Sequence, residues 1–211
     1  MNIIDISPVI SEKIAVWPGD TPLRRDVLCD IQAGANIDLS SFHGTVHIGA
    51  HADAPRHYSK DGISIEAVAL DPYIGLCYVH SVAKKRLITS EDCRLPISLG
   101  AKRVLFRTDT FPDPHSFNQD FCAFTPEALE SLGKSGVTLV GIDTPSVDPF
   151  DSKQLPAHQM LLKYNMRNLE GLVLSATSDG FYELIALPLA LKGFDASPVR
   201  AVLRTVANAV R

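Results

Sequence analysis

The sequence predicts a single α/β domain spanning residues 1–211, mixed in character, with a β-rich core and few helices. Three observations predict it. The 211 residues are 45% hydrophobic, enough to bury one substantial core, and no repeat, low-complexity tract or long linker divides them. Short runs rich in Val, Ile, Leu, Phe or Tyr, bounded by Gly, Pro, Asp or Ser, recur along the whole chain. Helix-start signals are fewer than these runs, so strands should outnumber helices.

In chain order, strands are predicted over 2–6, 13–17 and 75–82. Ser90 and the acidic pair after it suggest a helix start. A strand follows over 103–107. Thr125, Pro126 and Glu127 have the order of an N-cap, a first-turn proline and an acid at the positive end of a helix, with Gly133 and Gly136 to stop it. Further strands are predicted over 137–142, 170–175, 182–187 and 199–204, with a helix from about Pro156. Much of the sheet is expected to be covered on one side.

Composition excludes several classes of partner. The net charge is −4, the pI is near 5.9, and no basic run is denser than KKR at 84–86, so no nucleic acid or anionic membrane is expected to bind. The amino terminus lacks a basic stretch leading into a long apolar one, and nowhere do about eighteen apolar residues run together. A soluble, cytoplasmic protein is expected. Cys29, Cys77, Cys93 and Cys122 are scattered without a CxxC pair and read as buried small hydrophobes rather than as disulfides or a thiolate metal site.

The chemistry is concentrated in HIGAHADAPRHY (47–58), which holds three of the seven histidines. Gly49 and Pro55 argue against a helix there. In extended or turning backbone, residues two apart point the same way, so His47, His51 and Asp53 can converge on one point. Imidazole nitrogen with carboxylate oxygen, and no thiolate, is the ligand set of a catalytic zinc or manganese site rather than a closed structural one. Alternatively, each histidine is simply a satisfied core or surface residue, as an isolated histidine usually is. His43, His80 and His115 are read that way.

HIGAHADAPRHY resembles the HxGxHxDxPxH signature of the metal-dependent cyclase-type hydrolases. The similarity extends to VWPGDTP (16–22), GIDTPSVDP (141–149), LEGLVL (169–174), YELIALPL (182–189) and DASPVRAVLR (195–204), and so covers most of the chain. Within that family DFCAFTPE (120–127) and the WPGDTP and DASPVRAVLR stretches look most like the kynurenine formamidases. The resemblance implies the family's β-rich fold, a homodimer, and two divalent metal ions per chain, zinc being the expected ion. It implies His47, His51 and Asp53 as ligands of one metal, with Asp53 bridging to a second, His158 on that second metal, and Glu170 touching both. His57 matches the catalytic acid/base and Trp17 a substrate contact. The implied reaction is hydrolysis of N-formyl-L-kynurenine to L-kynurenine and formate by a bridging hydroxide. The absence of a G-x-S-x-G elbow argues against a serine route.

Two positions depart from the pattern: Ile48 stands where threonine is usual, and Pro156 where an acid is usual. Both flank ligands without replacing one. Two other readings compete with the formamidase. One is a hydrolase of the same family acting on a different amide, ester or lactone. The other is a protein that stores or senses metal without turnover, which would have no use for His57.

Overall fold

A computed structural model describes residues 2–82 and 85–206. Lys84 of the KKR run lies outside them. The elements in chain order are β1 (Ile3–Asp5), β2 (Arg24–Cys29), β3 (Leu39–His43), β4 (His51–Asp53), β5 (Ile74–Ser81), β6 (Leu87–Ile88), α1 (Arg94–Ser98), β7 (Arg103–Arg107), β8 (Ala123–Phe124), α2 (Pro126–Lys134), β9 (Leu139–Ile142), α3 (Pro156–Lys163), β10 (Arg167–Leu169), β11 (Gly180–Ile185), β12 (Ala196–Pro198) and β13 (Val202–Thr205). The α/β character, β-rich core and scarcity of helices match the expectation. Among the described residues no helix is long and apolar enough to cross a membrane.

Seven strands form one mixed sheet in the order β1-β13-β11-β5-β7-β9-β10. The half from β5 to β10 is parallel and the half from β1 to β5 antiparallel. In the parallel half, period-2 alternation sends Val104, Phe106, Val140 and Ile142 to one face, where α2 and α3 cover them through Leu129, Leu132 and Leu161. Leu105, Leu139, Cys77 and Val79 point the other way, against Ala50, Ala52 and Ala54. Both faces are therefore covered, not mainly one. The small alanines between the histidines let the ligand-bearing segment lie flat on the sheet.

Local chemistry explains the helices. The Thr125 side chain accepts from Ala128 N–H at the start of α2 and Pro126 fills the first turn, as the cap reading anticipates. The helix continues through Gly133, whose role is packing: a Cβ there would lie 2.4 Å from Cγ of Tyr164. Gly136, at φ +75°, ends the turn. α3 has no cap of its own. The Asp148 carboxylate instead accepts from the N–H groups of Ala157 and His158, at 2.9 and 3.0 Å.

Three expectations need correction. Residues 13–17 form no strand; they make a turn, closed by Ile14 N–H to Ser11 O and held to the 114 loop by Ala15 N–H to Pro114 O. Their apolar side chains line a cavity rather than a sheet. The strand placed over 170–175 lies at 167–169, because Gly171 at φ +65° breaks the extended path and Leu172 and Leu174 enter the core from irregular backbone. Cys29 is partly exposed, while Cys77, Cys93 and Cys122 are buried; all four are free thiols.

Gly171 and Gly49 lie where two backbone segments meet most closely. A Cβ on Gly171 would sit 2.2 Å from Gly49 O, and that close approach brings His51 and Glu170 into an antiparallel bridge. Gly171→Ala is accordingly expected to destabilise the fold by more than about 2 kcal/mol, from both φ strain and the clash. Urea unfolding measures it, and a change under about 0.5 kcal/mol would show that the contact relaxes freely.

Candidate metal centre

Strand pairing assembles the centre. β4 pairs with β12 in antiparallel register, Asp53 opposite Ala196, while His51 N–H and C=O bond to the backbone of Glu170 at 3.1 and 3.0 Å. These pairings bring parts of the chain more than a hundred residues apart to one end of the sheet.

Asp53 is fully buried and splits its carboxylate between two groups of imidazoles. Its Oδ1 lies 3.0 Å from His47 Nδ1 and 3.6 Å from His51 Nε2, while its Oδ2 lies 3.4 Å from His158 Nε2. Glu170 is split in the same way: its Oε2 is 3.3 Å from His51 Nε2 and its Oε1 is 3.5 Å from His158 Nε2. The five residues matched as ligands thus converge. His47, His51 and Asp53 offer nitrogen and oxygen atoms within 4.8 Å of one another, and so do Asp53, His57 and His158.

The donor set fits divalent cations. Among the described residues His51 Nε2 and Asp53 Oδ1 are buried and have no hydrogen-bond partner, a costly arrangement unless something else satisfies them. Nitrogen and carboxylate donors suit zinc or manganese.

Several orienting residues escape a reading of local spacing. Asp148 Oδ2 accepts from His158 Nδ1 at 2.7 Å, which turns Nε2 toward Asp53. Asn168 donates to Asp53 Oδ2 at 2.6 Å and to Glu170 Oε1 at 3.0 Å, and Val147 N–H to the same Oε1 at 2.9 Å. Asp195 Oδ2 lies 2.9 Å from His47 Nε2 and 3.4 Å from His57 Nδ1. Asp148 and Asp195 stand inside GIDTPSVDP and DASPVRAVLR, so those stretches were the available signal.

His57 stands beside the cluster, its ring 4.2 Å from that of His47, and opens to the cavity. His43, His80 and His115 lie away from the centre: His43 ends an exposed strand, His80 faces Asp179 and His115 faces Lys13 O. Ile48 is buried and Pro156 occupies the first turn of α3, so neither departure removes a donor.

The cavity over the centre has a volume of about 750 Å³. Its floor carries His47, His51, His57 and Glu170, and its wall includes Trp17, Phe111 and Phe117. Trp17 stacks on Phe150 at 4.9 Å and meets Phe117 edge-on at 5.5 Å, so it belongs to an aromatic cluster.

Burial opposes charge on His47, but the hydrogen bond to Asp195 and the nearby Asp53 carboxylate outweigh it and push the pKa up to about 10. Burial likewise opposes charge on His158, and Asp148 and Asp53 push it up to about 10. For Asp53, burial is overcome by His158 and His47, which hold the carboxyl well below its usual range. His57 differs: burial lowers its pKa, leaving a neutral imidazole at neutral pH.

A mixed sheet with a buried histidine–carboxylate cluster under an aromatic-walled cavity defines an α/β protein whose centre has the donor set to hold a divalent cation. The Cyclase family model matches residues 4–149, and the chain belongs to that family. Solved structures agree in fold. A potential metal-dependent hydrolase with cyclase activity is similar at 27% identity and TM-score 0.84, over 96% of each chain. A predicted metal-dependent hydrolase from Bacillus stearothermophilus is 26% identical with TM-score 0.81, over 96% of this chain and 97% of that one. Isatin hydrolase A from Labrenzia aggregata, bound to benzyl benzoate, shares the fold at 22% identity and TM-score 0.82, over 96% of this chain and 93% of that one.

Metal must displace protons from His47 and His158, whose pKa values are raised in the metal-free protein. At pH 7.5 uptake should release about two protons per chain, and apparent affinity should climb as pH rises toward about 10. An indicator dye in weak buffer reads the release directly. Uptake without proton release would contradict the ligand assignment.

Proposed function

We propose that the chain is a metal-dependent hydrolase that cleaves N-formyl-L-kynurenine to L-kynurenine and formate, residues 1–211 acting as one catalytic domain. The observation that carries this reading is the convergence of His47, His51, Asp53, His158 and Glu170 at the floor of an aromatic-walled cavity, with neutral His57 beside them. Two divalent ions, zinc by preference, fit the two-sided splitting of Asp53 and Glu170. Metal bound there supplies Lewis acidity, making water more acidic and polarising a carbonyl oxygen.

The chain's own residues do the rest. Asn168 and the Val147 N–H hold the two carboxylates in place. Neutral His57 can take a proton from the attacking water, as its oxygen bonds to the formyl carbon, and return it to the aniline nitrogen as the C–N bond breaks. An aromatic amine leaves more readily than an alkyl amine, and the Trp17 wall offers a surface for its ring.

A second reading keeps the centre and changes the substrate to another amide, ester or lactone. One observation favours it: Phe150 stacks on Trp17 and covers one indole face, so Trp17 packs within an aromatic cluster and is not reserved for a substrate ring. The homodimer is supported by the β2–β3 ribbon, which exposes Val27, Leu39 and Phe42, the last at 77%.

Two substitutions separate ligand from proton carrier. Asp53→Ala should lose metal and activity together, whereas His57→Ala should retain metal and lower turnover by about 10² to 10⁴. A His57→Ala protein stripped of metal would make His57 a ligand, and one with full turnover would remove it from the chemistry.

Substrate is tested by absorbance at kynurenine release. N-formylkynurenine should exceed a formylated alkyl amine in kcat/KM, and Trp17→Ala should raise KM more than it lowers kcat. Equal rates on both substrates in the unaltered protein would favour the second reading.

A further inference from the structure

We infer that Asp195 is a positioning residue that sets the tautomers of two histidines at once, holding His47 ready for metal and His57 ready for the proton. The inference rests on the metal-hydrolase reading but not on the identity of the substrate.

The backbone puts Asp195 there with little freedom. It directly precedes β12, whose Ala196 pairs with Asp53, and its own C=O accepts from Ala54 N–H at 2.8 Å. The strand pair that carries the buried ligand Asp53 therefore carries Asp195 as well. A single oxygen, Oδ2, then lies 2.9 Å from His47 Nε2 and 3.4 Å from His57 Nδ1.

An ionised carboxylate only accepts, so each facing nitrogen must carry hydrogen. With hydrogen on Nε2, neutral His47 has its lone pair on Nδ1, the atom 3.0 Å from Asp53 Oδ1 and so directed into the centre. With hydrogen on Nδ1, neutral His57 has its lone pair on Nε2. A proton accepted at Nε2 creates an imidazolium that Asp195 stabilises from the far side of the ring.

The same three side chains are close enough to enclose a cation. The chemistry disfavours it, since His47 would have to give up both ring hydrogens to serve a cation at Nε2 and another at Nδ1. A shared carboxylate needs no such step.

The test compares Asp195→Asn, which keeps the shape and removes the charge, with Asp195→Ala. Zinc affinity is read by chelator competition, and the tautomers of His47 and His57 by long-range proton–nitrogen NMR on the zinc-loaded protein. Unaltered protein should show hydrogen on His47 Nε2 and on His57 Nδ1. Both variants should bind zinc about 10- to 100-fold more weakly, and Asp195→Ala should lose the His57 Nδ1 preference while keeping the same number of zinc ions at saturation.

Unchanged affinity and tautomers in both variants would overturn the inference. Loss of one zinc equivalent from either variant would make Asp195 a ligand and overturn it also. Neither readout uses a substrate, so failure of the formamidase reading, seen as no turnover by the unaltered protein, is distinguishable from failure here.

Discussion

Two buried carboxylates facing one another across a cluster of imidazoles are the constraint around which this molecule is built. Asp53 and Glu170 are almost entirely removed from water, and the Asp53 carboxylate stays ionised there because the His158 and His47 imidazoles lie against it. In the metal-free protein that charge comes from histidines pushed toward their protonated forms. His51 Nε2 and Asp53 Oδ1 nevertheless remain without partners, so protons alone are an incomplete solution. Divalent cations would complete it, since the donors that could hold them are the same buried groups that are costly to leave unpaired.

The surrounding fold serves that cluster. The parallel half of the sheet is a rigid floor packed on both faces, and the ligand segment crosses it on alanines small enough to lie close. Gly49 and Gly171 allow the backbone contact that aligns His51 with Glu170. α3 is the clearest case of shared duty: Asp148 satisfies the helix's free N–H groups and aims the imidazole of His158. Stability and ligand orientation there depend on one carboxylate.

How far the sequence could be read follows from the range of each interaction. The strands near 75–82 and 103–107 and helix α2 were legible because their signals, apolar runs and a Thr-Pro-Glu start, lie within a few residues of one another. The histidine segment was legible for the same reason. The role of Asp195 was not: DASPVRAVLR marked the stretch, but the contact with His47 spans 148 residues and nothing local pointed to it. The exposed β2–β3 ribbon was missed because its residues are too polar to read as a buried strand, and 13–17 misled because a cavity wall wants the same apolar side chains as a sheet. Resemblance to a family supplied His158 and Glu170, which composition alone would have left as a helix-end histidine and a surface acid.

Whether the buried cluster holds metal is decided by anomalous X-ray diffraction from crystals soaked in zinc, recorded on both sides of the zinc absorption edge. Strong anomalous density is expected between His51 Nε2 and Asp53 Oδ1, within bonding distance of His47 Nδ1, with a second peak between Asp53 Oδ2 and His158 Nε2. Density found only at surface histidines such as His43 or His115, with the space between His51 and Asp53 filled by water or left empty, would contradict it.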